Sequence, residues 1–221
     1  MTTSELVARL KEFVSDERYE LMQKVMNART RYMTVVLEDI YQTQNASAVL
    51  RTCECFGVQD VHVIENRNTF TVNPDVARGA SKWLTIRHYS DAADNTAEAL
   101  AALRADGYRI VATTPHTNDV SPDAFDIEAG KFAIVIGNEK RGISPAVGAM
   151  ADVCMRVPMV GFTESLNLSV CTALIVSQLR ARMTAAGIDP GLSADEKDDL
   201  MLEWLMRSIN DSERIVERLM R

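Results

Sequence analysis

The sequence predicts an α/β fold, a parallel helix-covered sheet with helical extensions at both ends. Three observations predict it. Short apolar runs of strand length alternate with longer segments of helical length. The longer segments tend to begin at capping residues and stop at glycines. With 221 residues, the chain is long enough for one sizeable α/β domain plus additions.

From about Thr3 to Ala28, Leu6, Leu10, Phe13, Leu21 and Val25 recur at roughly helical spacing with charges between them, predicting a helical arm broken near Ser15-Asp16. Thr34–Glu38 reads as a buried strand, Asn45 as the N-cap of a helix over Ala46–Phe56, and Gly57 as the residue that ends it. Asp60–Ile64 is the second strand. The stretch from Asn66 to Ala80 carries turn residues (Asn66, Asn68, Asn73-Pro74, Gly79) and reads as loop. Strand Leu84–Tyr89 comes next, then a helix capped by Asp91 that runs through Ala105 and stops at Gly107, then strand Tyr108–Thr113. Phe132–Ile136 and Val153–Val157 complete the strands, with a short helix between them that has Ser144 as N-cap and Pro145 at its first position. A long helix is expected over Asn167–Ala186, ending at Gly187. Ser193-Ala-Asp-Glu196 is a capping box that opens a helix through Met206 or beyond, and Asp211 caps a last one.

The hydrophobic share of 47% and charged share of 25% are those of an ordinary folded chain. No apolar run approaches a membrane span, and the N-terminus lacks an apolar signal core, so a cytoplasmic location is expected. Four cysteines make no disulfide framework at this length. Cys53 and Cys55 diverge on a helix. Zinc held by these with Cys154, Cys171 and the scattered His62, His88 and His116 fits poorly on spacing, and packing is the favoured role. The net charge of −7 argues against a uniformly basic nucleic-acid binder. A local cationic face remains open to Arg18, Lys24, Arg29 and Arg31 near the start and to Arg180 and Arg182 on the late helix.

Three polar stretches follow strand ends, where parallel sheets bind ligands. In the first, Asn45 reads as a helix cap, while Arg51 lies in an otherwise small and apolar helix, where it either packs or holds a phosphate. In the second, Gly137-Asn138-Glu139 and Gly142 give points of close backbone approach, in a spacing that fits neither a P-loop nor a dinucleotide fingerprint. In the third, Ser165-Leu-Asn167-Leu-Ser169 offers hydroxyl and amide groups beside free N–H donors at a helix start. A serine nucleophile is disfavoured because no histidine has a triad-like context.

Taken together, the three stretches closely resemble the three motifs of the SpoU/TrmH family of RNA 2′-O-methyltransferases, in the SPOUT superfamily. The likeness runs from Thr34 to about Gly187, through Asn45-x-Ser47-Ala48-x-x-Arg51-Thr52, Gly57-Val58, Lys82-Trp83, Glu139-Lys140-x-Gly142 and Pro158-Met159-x-Gly161. It is strongest to the members that methylate guanosine 18 of tRNA.

The resemblance implies a C-terminal trefoil knot, a homodimer whose active site uses both subunits, RNA as partner, and S-adenosylmethionine as methyl donor, with no metal. It implies three regions: a helical RNA-binding arm over 1–33, the methyltransferase domain over 34–187, and a helical extension over 188–221. It marks Thr113, Gly137, Val157 and Leu166 for the donor, and Asn45, Arg51, Glu139, Ser165 and Asn167 for catalysis. Lys82, Arg180 and Arg182 match positions linked to tRNA contact, and Arg29 and Arg31 join them as candidate RNA-binding cations. The mixed charge of the N-terminal arm, Glu164 in place of a neutral residue, and the acidic tail depart from the pattern.

The family proposal makes Arg51 the proton acceptor. A guanidinium gives up its proton at neutral pH only at a cost of about 7 kcal/mol or more. Stabilising the developing alkoxide and fixing the phosphate is the cheaper role for Arg51, with phosphate or water taking the proton. Two alternatives stand beside the tRNA reading: the same reaction on ribosomal RNA, and a non-catalytic RNA-binding relative.

Overall fold

The computed structural model describes residues 1–115, 119–188 and 191–220. The chain divides into two compact units, Met1–Thr30 with Gly191–Arg221 in one and Arg31–Pro190 in the other.

In the first unit, α1 (Thr3–Leu10) opens on a capping box between Thr2 and Glu5, and Ser15 caps α2 (Asp16–Met26). A single 3₁₀ turn over Lys11–Phe13 lies between them, so the break falls where the sequence places it. Two later helices belong to the same unit. One (Ala194–Ser208) opens on the capping box of Ser193 and Glu196, and the other covers Ser212–Leu219. Asp211 stands at the cap position of the latter, but its side chain does not cap it. Arg29 is only 1% exposed, with its guanidinium 5.3 Å from the ring centre of the equally buried Trp204.

The second unit is built on six parallel strands: β1 (Met33–Glu38), β2 (Asp60–Ile64), β3 (Thr85–Tyr89), β4 (Arg109–Thr113), β5 (Phe132–Ile136) and β6 (Val153–Met155). Their order across the sheet is β3-β2-β1-β5-β4-β6, with Val35 opposite Val61 and Ile134 in register. The alternation of side chains explains why the central strands β1 and β5 are buried on both faces. Met33, Val35, Leu37, Phe132, Ile134 and Ile136 face a core shared with α3 (Thr43–Cys55) and α7 (Leu168–Ala186). Val36, Ala133 and Val135 face a second core under α5 (Thr96–Ala105) and α6 (Pro145–Met150). The remaining helix, α4, is the single turn Pro74–Ala77, which with a 3₁₀ turn over Ala80–Lys82 occupies part of the stretch read as loop.

Two helix starts also differ from the sequence reading. Helix α3 begins three residues earlier than expected, with Gln42 as N-cap, so Asn45 lies inside the first turn. The reason is long-range. The Glu139 carboxylate accepts the N–H groups of Tyr41 (2.9 Å) and Gln42 (3.1 Å), fixing from a distant loop the backbone that leads into the first turn. Helix α5 starts at Thr96 rather than after Asp91, because Asn95 donates to the carbonyls of Glu65 and Ala92, both at 2.8 Å, and holds residues 91–94 in a turn. Gly57 and Gly187 do end α3 and α7, both in the left-handed region.

Candidate active site

A cleft of about 400 Å³ opens beyond the carboxyl ends of β1, β4, β5 and β6. Neighbouring β1 and β5 lead away from this edge in different directions of the strand order, which leaves a crevice between their following loops. The cleft is lined by Gln42 and Asn45 after β1, by Thr113–Pro115 after β4, by Ile136–Glu139 and Gly142 after β5, and by Arg156, Val157 and the 164–168 stretch after β6.

Residues of all three stretches join in one hydrogen-bonded chain. Asn45 Nδ2 donates to Glu139 Oε1 (3.0 Å) and to Gln42 Oε1 (2.9 Å), and Asn45 Oδ1 accepts from Asn167 Nδ2 (3.1 Å). Asn167 in turn caps α7, its Oδ1 accepting from Ser169 N at 2.9 Å and Ser169 Oγ at 2.6 Å. Burial disfavours the Glu139 charge, but the bonds from Asn45, Tyr41 and Gln42 outweigh it and hold its carboxyl below the usual range. Glu139 is therefore an anchored anion, and it fixes the direction in which the Asn45 amide points.

The second loop owes its shape to two glycines with different reasons. Asn138 and Gly142 exchange backbone hydrogen bonds (2.9 and 2.8 Å), folding the loop back on itself. A Cβ on Gly137 would lie 2.5 Å from Gly142 O and closer still to Gly142 C and Ile143 N, so the fold-back excludes any side chain there. Gly142 has open space around it but a φ of +69°, so its requirement is conformational. Below this loop, Asn138 Nδ2 donates to the carbonyl of Asp39 (2.7 Å). Asp39 itself adopts φ +50° while its carboxylate accepts the N–H groups of Asn66, Arg67 and Asn68.

Of the residues selected from sequence, Asn45, Glu139, Ser165 and Asn167 line the cleft, as do Thr113, Gly137, Val157 and Leu166. The Thr113 hydroxyl is committed to Val135 O at 2.9 Å and is not offered to a ligand. Arg51 is not brought in. Six residues beyond Asn45 on α3 it is carried about 9 Å along the helix axis, and it is exposed there with no partner among the described residues. Its neighbour Thr52 lines a shallow groove between α3 and α7, with Ala48, Phe56, Val170, Ala173, Leu174 and the serines Ser169 and Ser177.

Three of the five candidate RNA-binding cations are engaged by groups within the chain. Arg29 is buried against Trp204. Arg31 lies 3.1 Å from the buried carboxylate of Asp60, at the start of β2 and so at the opposite strand end from the cleft. Arg182 donates to the carbonyls of Pro122 (2.6 Å) and Phe125 (2.8 Å). These guanidiniums are held by a ring, a carboxylate and two carbonyls within the chain, which composition alone does not reveal. Lys82 is exposed on the 3₁₀ turn after Gly79, and Arg180 is half-buried on α7. His116 lies outside the described residues.

Gln42, Asp39 and Arg156 were not singled out from sequence. Gln42 was hidden by the misplaced start of α3. The polar Asp39 directly after an apolar strand was a usable signal, and so was Arg156 directly before Val157-Pro158.

Residues 32–177 match the model of the SpoU rRNA Methylase family. Over 210 residues, covering 95% of this chain and 94% of the relative, the sequence is 40% identical to a tRNA (guanosine(18)-2′-O)-methyltransferase of Borreliella burgdorferi. The fold superposes on the crystal structure of the A. aeolicus TrmH/SpoU tRNA modifying enzyme with a TM-score of 0.78 at 26% identity, covering 87% of this chain and 97% of that one. It also shares its fold, at a TM-score of 0.60 and 21% identity, with the SpoU methyltransferase AviRb of Streptomyces viridochromogenes, solved in complex with AdoMet; the match covers 73% of this chain and 64% of that one.

Proposed function

Because this chain belongs to the SpoU methylase family, we propose that it methylates the 2′-hydroxyl of a ribose in RNA, at guanosine 18 of tRNA, using S-adenosylmethionine. The observation that carries this reading is the chain of bonds from Glu139 through Asn45 to Asn167, which unites residues of three separate stretches at one cleft. The likeness to a curated guanosine-18 enzyme over nearly the whole of both chains supports the choice of substrate.

The cleft fits a donor of this kind. Its volume suits a single small molecule. Its walls combine apolar side chains (Ile136, Met155, Leu168) with backbone at Gly137, where a ligand meets no side chain. When bound, the donor supplies a methyl group on a positively charged sulfur that leaves as a neutral thioether, so the chemistry needs alignment and removal of one proton. Thr113, Gly137, Val157 and Leu166 hold the donor. Asn45 and Asn167, locked by Glu139 and by the α7 cap, and Ser165, whose hydroxyl has no partner among the described residues, orient the ribose hydroxyl. Arg51 stabilises the oxyanion as it forms and fixes an RNA phosphate.

Arg51 meets the cleft only if a second copy of the chain presents it, so the working form is a homodimer. Val170 (47% exposed) and Leu174 (46%) on α7, which line the same groove as Thr52, support a second copy covering this face. The trefoil knot expected of the family belongs to this reading, as does RNA contact by Lys82 and Arg180. The region at 1–33 is assigned to RNA docking, 34–187 to methyl transfer, and 188–221 to a helical extension.

The test is incubation of the purified chain with methyl-labelled S-adenosylmethionine and unmodified tRNA, followed by mapping of the label. Label at the 2′-oxygen of guanosine 18, abolished by a 2′-deoxyguanosine at that position, is expected. Label in ribosomal RNA alone overturns the substrate, and no transfer to any RNA overturns the activity.

A further inference from the structure

Two charged groups in the cleft have no role in the chain from Glu139 to Asn167. Arg156 lines the cleft directly after β6, and its Nε is buried without a hydrogen-bond partner. Its side chain makes no ion pair among the described residues. Glu164 lines the same cleft, exposed and equally unpaired. The third charge there, Glu139, already accepts three hydrogen bonds.

A buried, unpartnered guanidinium N–H points to an absent acceptor. An anion is the natural one, since a guanidinium forks onto a carboxylate or a phosphate with two parallel bonds. Its surroundings decide between these. Arg156 shares the cleft with Met155, Val157 and Cys171, in a space sized for one small molecule, and Glu164 would repel a polyanion. One cationic and one anionic group facing a single cavity match a zwitterion, and the end of S-adenosylmethionine away from its base is an α-amino acid.

We propose that Arg156 and Glu164 clamp the amino-acid end of the methyl donor, Arg156 taking the α-carboxylate and Glu164 the α-ammonium. This rests on the methyl-donor reading above. It adds charge recognition of the donor's tail to contacts that are otherwise apolar or made by backbone.

Titration calorimetry on the full chain tests it with three ligands: S-adenosylmethionine, its decarboxylated form, and 5′-methylthioadenosine, which lacks the amino-acid end. Arg156→Gln is expected to weaken S-adenosylmethionine by about tenfold or more and to leave the decarboxylated ligand and 5′-methylthioadenosine unchanged. Glu164→Gln is expected to weaken both ammonium-bearing ligands and spare 5′-methylthioadenosine, whose unchanged affinity also reports an intact fold. Equal binding of S-adenosylmethionine by wild type and Arg156→Gln overturns the clamp, and so does an equal loss for all three ligands. Retained donor affinity with lost tRNA affinity overturns it as well, placing Arg156 against RNA phosphate. A wild type that binds none of the three overturns the methyl-donor reading itself, a result distinct from failure of the clamp.

Discussion

Gly137 and Gly142 stand five residues apart in one loop, yet their replacement by alanine should have different consequences. At Gly137 the obstacle is backbone. The added Cβ would sit 2.5 Å from Gly142 O and nearer to Gly142 C and Ile143 N, about 1 Å inside ordinary contact, with no flexible side chain to yield. Relief requires opening the fold-back that the paired bonds between Asn138 and Gly142 hold shut, and overpacking of this kind costs about 1–3 kcal/mol. The displaced atoms form a wall of the cleft, so donor affinity should fall by about tenfold or more with the stability. At Gly142 the space is open and only the left-handed φ of +69° is penalised, about 1 kcal/mol, with donor affinity within about threefold of wild type. Urea unfolding followed by circular dichroism measures the first quantity and calorimetry with S-adenosylmethionine the second. If Gly137→Ala proves as stable and as tight-binding as Gly142→Ala, the steric argument for this loop is wrong.

Glu139→Gln keeps the shape but removes the charge that accepts three hydrogen bonds and turns one acceptor into a donor. It should cost about 1–3 kcal/mol of stability and lower single-turnover methyl transfer about a hundredfold, and a rate near wild type would remove Glu139 from the site. Arg51→Lys should retain part of the single-turnover rate, roughly 1–10%, because a cation remains near the oxyanion; total loss with RNA binding intact would instead favour proton abstraction by Arg51. His62 is buried on β2 with its Nδ1 2.9 Å from the Tyr89 hydroxyl, and burial, reinforced by Arg87, lowers its pKa from 6.5 to about 4. As pH falls below 6.5 the unfolded chain takes up this proton first, so up to about 3 kcal/mol of stability should be lost between pH 6.5 and 4. His62→Gln should flatten that limb of the urea midpoint against pH, and an unchanged slope would show that other groups set it.

Much of this molecule is written in short-range patterns. The strands Asp60–Ile64 and Phe132–Ile136, the cap and first proline of α6, the glycine ends of α3 and α7, and the box opening the helix at Ala194 all follow from neighbours a few residues apart, where backbone geometry and burial period act directly. Eight of the nine residues selected for catalysis or donor contact also meet at one edge of the sheet, because parallel strands deliver their following loops to the same side.

The tertiary structure alone decided the rest. Glu139 reaches 97 positions back along the chain to set where α3 begins, which moved Asn45 from a cap to the centre of a hydrogen-bonded chain. It sent Arg51 along a rigid helix away from the cleft. It also committed Arg29, Arg31 and Arg182 to an aromatic ring, a carboxylate and two carbonyls. A charge's partner depends on which distant segments pack beside it, and local sequence carries periodicity and capping but no record of that proximity.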